Sequence, residues 1–158
     1  MRNFEEIVRQ WGPMVYRLAL ATLRHKSDAE DVFQEVFLRC SRQHGFQSDE
    51  HLRAWLLRVT INQCRNLRRS AWFLHRAALP DNLPEMPAQE ASCSLQDALS
   101  QLPDKYHAII HLYYYENYRT DEIAALMHMP PATVRTRLAR ARKQLSDLLK
   151  GDFADELP

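Results

Sequence analysis

The sequence predicts an all-α protein of two small helical domains joined by a flexible linker, the second domain containing a helix-turn-helix. Three observations predict it. Apolar residues recur at helical spacing in both halves, and strand-period alternation is nowhere sustained. Only 3 Gly occur in 158 residues, too few for a turn-dense β fold or a Gly-rich phosphate loop. Pro80, Pro84 and Pro87 interrupt the periodicity between about Ala71 and Ser94, where each proline removes a backbone donor and disfavours helix. The expected division is a first unit over residues 1–70, a linker over 71–94, a second unit over 95–150 and an acidic tail over 151–158.

The elements follow in order. Asn3 and Glu6 have the spacing of a capping box, which starts a helix through Phe4, Ile7, Val8 and Trp11. Gly12-Pro13 is expected to kink or break it, and Met14–Leu23 resumes with Val15, Leu18 and Thr22 facing inward. Ser27 with Glu30 reads as a second capping box. The helix it opens carries Ala29, Val32, Phe33, Val36, Phe37 and Cys40 on one side and ends at His44-Gly45. A third helix starts near Ser48 or Asp49 and runs to about Arg69, with Leu52, Leu56, Val59 and Leu67 as its apolar stripe and Trp55 beside it. In the second unit, Leu95, Ala98, Leu99 and Leu102 begin a helix. Pro103 is placed to start the next, with Ile109, Ile110, Leu112 and Tyr113 on its apolar side. Thr120 is the expected N-cap of a short helix over Asp121–Met127, followed by a turn at His128-Met129-Pro130. Pro131 fits the first turn of the last helix, which reaches about Lys150 and stops at Gly151.

Charge is balanced overall but not locally. Lys+Arg is 21 and Asp+Glu is 20, a net charge of +1, which excludes a generic polybasic protein. Residues 132–150 nevertheless hold Arg135, Arg137, Arg140, Arg142, Lys143 and Lys150 against Asp147 alone. No apolar run approaches the roughly 18–20 residues of a membrane span, and the charged N-terminus does not read as a signal peptide. Direct membrane insertion is not expected. Cys40, Cys64 and Cys93 are odd in number and form no C-x-x-C, so neither a disulfide framework nor a cysteine-built zinc site is expected, and a reducing cytoplasm is.

Helical faces separate packing from function. On the third helix Arg58, Asn62, Arg65 and Arg69 fall within roughly 60° of arc, away from the apolar stripe, with Asn66 beside them. A solvated basic face is the plain alternative. Nucleic-acid contact is the sharper one, since guanidinium groups neutralise phosphates or grip base edges and an asparagine amide both donates and accepts toward a base. On the last helix Val134, Leu138, Ala141, Leu145 and Leu148 form the inward stripe. Ala132, Arg135, Thr136, Ala139, Arg140 and Lys143 point away, and Arg137 belongs to the same basic cluster. A short helix, a tight turn and a basic helix make a helix-turn-helix, whose second helix enters the major groove with its N-terminal residues at the bases. Thr133 and the first backbone N–H groups are placed to hold a phosphate. The helix after Ser27 presents Asp31, Gln34, Glu35 and Leu38 opposite its core stripe, a face that is either simply solvated or suited to a protein partner bearing basic residues.

Signals for catalysis are weak. His107 and His111 have the i, i+4 spacing of a metal clamp, but no H-E-x-x-H motif and no third ligand accompany them, so they read as paired surface imidazoles and no metal or cofactor is expected. Tyr113, Tyr114 and Tyr115 cannot all share one helix face, so one or two are expected in the core. No Ser/His/Asp arrangement or phosphate loop stands out, and the chain is not expected to be an enzyme.

The run Asp28-Ala29-Glu30-Asp31-Val32-Phe33-Gln34-Glu35-Val36-Phe37-Leu38-Arg39 resembles the signature of extracytoplasmic-function (ECF) sigma factors. So does Ala54-Trp55-Leu56-Leu57-Arg58 with Asn62 and Arg69. Glu122-Ile123-Ala124 and Thr133-Val134-Arg135-Thr136-Arg137-Leu138-Ala139-Arg140-Ala141-Arg142 resemble the family's C-terminal DNA-reading domain. The likeness covers nearly the whole chain outside the linker. It implies a bacterial transcription initiation factor that binds core RNA polymerase and promoter DNA. Asp31, Gln34, Glu35 and Leu38 would meet the clamp helices of the largest polymerase subunit, and the second domain the flap of the second-largest. Arg58, Asn62, Arg65, Asn66 and Arg69 would read and help open the downstream, minus-ten element. The loop near Gln43–Ser48 would capture an unstacked base. Thr133, Arg135, Thr136, Arg137, Arg140 and Lys143 would read the upstream, minus-35 element, and the linker would thread near the RNA exit path. Control by an anti-sigma partner is also implied. The chain departs from the family where His128 replaces the usual turn Gly, Pro130 the usual capping Ser, and Ala132 a Gly. It stops soon after the last helix, so no further C-terminal domain is expected. A stand-alone helix-turn-helix regulator is the alternative reading.

Overall fold

The computed structural model describes residues 3–75 and 90–149. It is all-helical over the described residues. The first unit, Met1–Pro84, is built from α1 (Phe4–Leu23), α2 (Lys26–Ser41) and α3 (Asp49–His75), each packed on the other two. The second unit, Glu85–Pro158, contains α4 (Glu90–Gln101), α5 (Asp104–Ile110) running into a π-helical turn (His111–Tyr115), α6 (Thr120–Met127) and α7 (Pro131–Leu148). Of the linker expected over 71–94, both ends are helical, in α3 and α4; its centre, residues 76–89, and the acidic tail lie outside the described residues.

Helix α1 opens with the expected capping box: the Glu6 N–H donates to Asn3 Oδ1 at 2.9 Å and the Asn3 N–H to Glu6 Oε1 at 3.4 Å. The break expected at Gly12-Pro13 is absent, and α1 is one helix of 20 residues. Pro13 lies on the exposed side, where water can satisfy the carbonyl its ring leaves unpaired. Gly12 faces inward, and a Cβ there would come within 3.3 Å of the Phe33 ring on α2. Glycine therefore serves close approach of two helices here, not a bend. Arg24 ends α1 in the left-handed region at φ 56°, its N–H bonded to the Leu20 carbonyl at 2.8 Å.

Ser27 does not cap the second helix. Helix α2 begins at Lys26, one residue before Ser27, and its N-cap is His25, whose Nδ1 accepts from the Asp28 N–H at 3.4 Å. In α3 the fully buried stripe is Leu52, Leu56, Leu57, Thr60, Ile61 and Cys64. Val59 and Leu67, expected there, are only half-buried. Thr60 enters the core because its hydroxyl donates to the Leu56 carbonyl at 2.6 Å, so no polar group is stranded. Helix α3 continues to His75, past the expected end near Arg69. Near that end the Arg68 guanidinium donates to the Thr22 carbonyl at 2.5 Å, closing the last turn of α1 with a cation.

In the second unit α7 packs on α4, α5 and α6. Its buried stripe is Val134, Leu138, Ala141, Leu145 and Leu149; Leu148, expected in the stripe, is 43% exposed and Leu149 3%. Leu149 follows Leu145 by four residues, which returns its side chain to the same face, whereas Leu148 at three residues falls to the edge of the stripe. His107 and His111 are buried, not paired surface imidazoles. His107 Nε2 lies 3.1 Å from the Leu99 carbonyl and His111 Nε2 2.9 Å from Glu116 Oε2, so each ring has its own partner. Among the described residues no cluster of His, Cys, Asp and Glu could hold a metal. None of their helices is long and apolar enough to cross a membrane.

Candidate nucleic-acid interface

The helix-turn-helix is α6, a turn over 128–130, and α7. Helix α6 is capped by Arg119, not Thr120: the Glu122 carboxylate accepts the Arg119 N–H at 2.8 Å. His128 ends α6 in the left-handed region, φ 55° and ψ 51°, and its N–H bonds to the Ala124 carbonyl. The Met129 N–H bonds to that same oxygen at 3.1 Å. His128 thus takes a backbone conformation that favours glycine.

Pro130 caps α7 and Pro131 is its first residue, so no side chain supplies an N-cap bond. The Thr133 and Val134 N–H groups both point to the Pro130 carbonyl, at 2.9 and 3.3 Å. Pro131 has no N–H, which leaves Ala132 the free backbone donor of this turn. The backbone therefore offers a phosphate less than the spacing suggested. Arg135, Thr136, Arg140 and Lys143 are exposed, and Thr133 and Arg137 are half-buried on the flanks. Lys143 lies 3.6 Å from Asp147 on the same helix, an exposed pair of little weight.

Arg142 behaves differently from its neighbours. Its Nε donates to the Tyr114 hydroxyl at 2.6 Å, and its guanidinium carbon lies 5.4 Å from the Tyr113 ring centre and 5.7 Å from that of Tyr114. The Tyr114 hydrogen bond, against a smaller opposing effect of burial, raises the pKa of this guanidinium further. Tyr113 and Tyr114 are half-buried and Tyr115 is 59% exposed, stacked on His111 at 5.2 Å.

In the first unit, Asn62, Asn66 and Arg69 of α3 are exposed and Arg58 and Arg65 half-buried along the same side. Among the described residues no carboxylate pairs with Arg58, Arg65 or Arg69. The Arg58 Nε is itself buried without a hydrogen-bond partner. The loop before α3 holds Phe46 edge-on against His51 and Trp55, each 5.4 Å away, and the Gln47 N–H donates to His51 Nδ1 at 3.1 Å. Gly45 sits at φ 87°, a conformation that side chains rarely adopt.

On α2, Asp31 and Gln34 are exposed and Leu38 is 47% exposed. Glu35 is half-buried and already engaged: Arg39 Nε donates to its Oε2 at 2.7 Å. The same guanidinium reaches across to α3, where the Gln63 amide oxygen, in the orientation that satisfies it, accepts from Arg39 Nη1 and Nη2 at 3.2 Å. Sequence spacing missed this bridge and the role of Arg142, because each depends on a residue of another helix.

Comparison with known proteins bears on both units. Residues 7–73 match the model of sigma-70 region 2, and residues 94–145 that of sigma-70 region 4. The ECF RNA polymerase sigma factor SigE of Mycolicibacterium smegmatis is 32% identical over 160 residues, covering 94% of this chain and 62% of the relative. The ECF RNA polymerase sigma factor SigM of Mycobacterium tuberculosis is 32% identical over 150 residues, covering 92% and 76%. A solved structure of the sigma factor RpoE from Bartonella quintana, in complex with the anti-sigma factor NepR, shares the fold with a TM-score of 0.78 at 21% identity, covering 96% of this chain and 99% of that one. The chain belongs to the sigma-70 family, within its ECF RNA polymerase sigma factors. Proteins of this kind are transcription initiation factors, not enzymes. The region 2 match covers α1–α3, for which a stand-alone helix-turn-helix regulator has no use.

Proposed function

We propose that this chain is the promoter-specificity subunit of RNA polymerase, acting in the cytoplasm without catalytic activity of its own. Residues 1–70 form the domain that binds core polymerase and the downstream element. Residues 95–150 read the upstream element, and the chain between α3 and α4 joins the two. The exposed α2 face of Asp31, Gln34 and Leu38, with Glu35 beside it, meets the clamp helices of the largest subunit, and the second domain meets the flap of the second-largest. Arg58, Asn62, Arg65, Asn66 and Arg69 line the downstream DNA, where the loop around Phe46 receives an unstacked base. Unstacking costs a few kcal/mol that contacts in such a loop offset. Thr133, Arg135, Thr136, Arg137, Arg140 and Lys143 contact the upstream duplex. An anti-sigma protein covers the polymerase-binding face until initiation is required.

One observation carries this reading: two arginine faces, one in each unit, without a paired carboxylate at Arg58, Arg65, Arg69, Arg135, Arg137 or Arg140 among the described residues. Each face alone supplies few contacts. Held at a fixed spacing by a larger assembly, each raises the effective concentration of the other at its element.

Run-off transcription with purified core polymerase over a library of upstream regions tests the proposal. The expected result is transcription from a defined subset of templates that requires this chain. Core polymerase that ignores the chain in a pull-down free of any inhibitor overturns it.

A further inference from the structure

Of the described cations of α7, Arg142 alone is held by side chains of another element. Two consecutive tyrosines grip it, which regular helix geometry does not favour, since successive residues diverge by about 100°. Here the backbone is π-helical. The Glu116 N–H donates to the His111 carbonyl at 3.1 Å, an i→i+5 bond that widens the turn. The buried side chains of the same two residues meet at 2.9 Å and span the same five residues. Tyr113 and Tyr114 stand edge to face at 4.9 Å within this turn, and both reach the Arg142 guanidinium.

We infer that Arg142 is a positioning residue: the Tyr113–Tyr114 clamp fixes the tilt and rotation of α7 so that Arg135, Thr136, Arg140 and Lys143 address the upstream element in one register, and Arg142 itself makes no phosphate contact. The inference rests on the proposal that α7 reads that element. The lever arm gives it force. Arg135 lies about 10 Å from Arg142 along the helix at 1.5 Å per residue. A change in tilt of about 5° at the clamp therefore moves Arg135 and Thr136 by about 0.9 Å, enough to lose a hydrogen bond to a base edge. Phosphate contacts tolerate such a shift better, because they are less directional and carry no sequence information.

The test measures binding of the full chain, assembled with core polymerase, to two duplexes: one carrying the upstream element selected in the run-off library, one with that element scrambled. Arg142→Ala is expected to lower the ratio of the two affinities about tenfold. Tyr114→Phe, which keeps the ring and removes only the acceptor, is expected to lower it about threefold, and to change nothing further in the Arg142→Ala background. The slope of log affinity against log salt is expected to stay constant in both variants, whereas Lys143→Ala lowers it by about 0.9. A slope lowered by that amount in Arg142→Ala makes Arg142 a phosphate ligand and overturns the inference. So do an unchanged ratio in both variants, or losses that simply add. Wild-type assemblies that do not distinguish the duplexes overturn the α7 reading itself.

Discussion

Replacing His128 with glycine is expected to stabilise the second unit. The residue holds φ 55° and ψ 51°, a region where a side chain costs about 1–2 kcal/mol and glycine almost nothing. Glycine also frees the unfolded chain, which takes back about 0.4–1 kcal/mol. The imidazole is exposed, so no packing is lost, and the bonds from the 128 and 129 N–H groups to the Ala124 carbonyl are kept. The net gain is about 0.5–1 kcal/mol. For a unit of this size that is a rise in Tm of about 2–8 °C. The assay is thermal unfolding of the full chain followed by far-UV circular dichroism and by tryptophan fluorescence. Trp11, Trp55 and Trp72 all lie in the first unit, so the fluorescence transition is the internal control and should not move. A second unit that melts at the same or a lower temperature would refute the assignment of strain to this turn.

Other expectations follow from the same geometry. Asp31→Arg combined with Leu38→Ala should weaken co-purification with core polymerase tenfold or more, with thermal stability unchanged because both side chains are exposed. Arg135→Ala should weaken binding to the upstream duplex by about 1–3 kcal/mol, the worth of a bidentate base contact, as read by fluorescence anisotropy of the polymerase complex. Asn62→Ala should slow strand opening, seen as reduced permanganate reactivity of downstream thymines, while closed-complex affinity holds. Burial pushes the Cys64 thiol from 9.0 up to about 12, against a smaller downward pull from Arg68. The folded chain thus holds this proton more tightly than the unfolded one, so the associated stability is present below pH 9 and is lost as pH rises from about 9 toward 12. Alkylation of Cys64 by iodoacetamide should accordingly be far slower in the native protein than in urea.

The amphipathic faces were legible because they depend on spacing within one helix. Period alone puts Val134, Leu138, Ala141 and Leu145 inward and Arg135, Thr136 and Arg140 outward, and a four-residue motif gives the Asn3–Glu6 box. What escaped depends on a second element or on local backbone geometry. Gly12-Pro13 has the composition of a break, but Phe33 on α2 needs the glycine and solvent accommodates the proline. Ser27 satisfies a capping motif, but His25 stands nearer the point where Arg24 turns the chain. His107 and His111 look like surface imidazoles until the Leu99 carbonyl and Glu116 provide partners inside. The three tyrosines do not share a regular helical face, but none is buried in the core, where one or two are expected: Tyr113 and Tyr114 are half-buried and Tyr115 is exposed. The π-turn that lets two of them converge on Arg142 is visible only in the backbone.

The bond between Glu35 and Arg39 has a consequence for how α2 is recognised. A visiting protein that offers a guanidinium to Glu35 does not add a contact to an idle carboxylate. It trades places with Arg39, and what it gains is the difference between two similar pairings. Displaced, Arg39 keeps only Gln63. Recognition through this carboxylate is therefore an exchange reaction, and the net attraction of the face rests on Asp31 and on covering the Leu38 side chain.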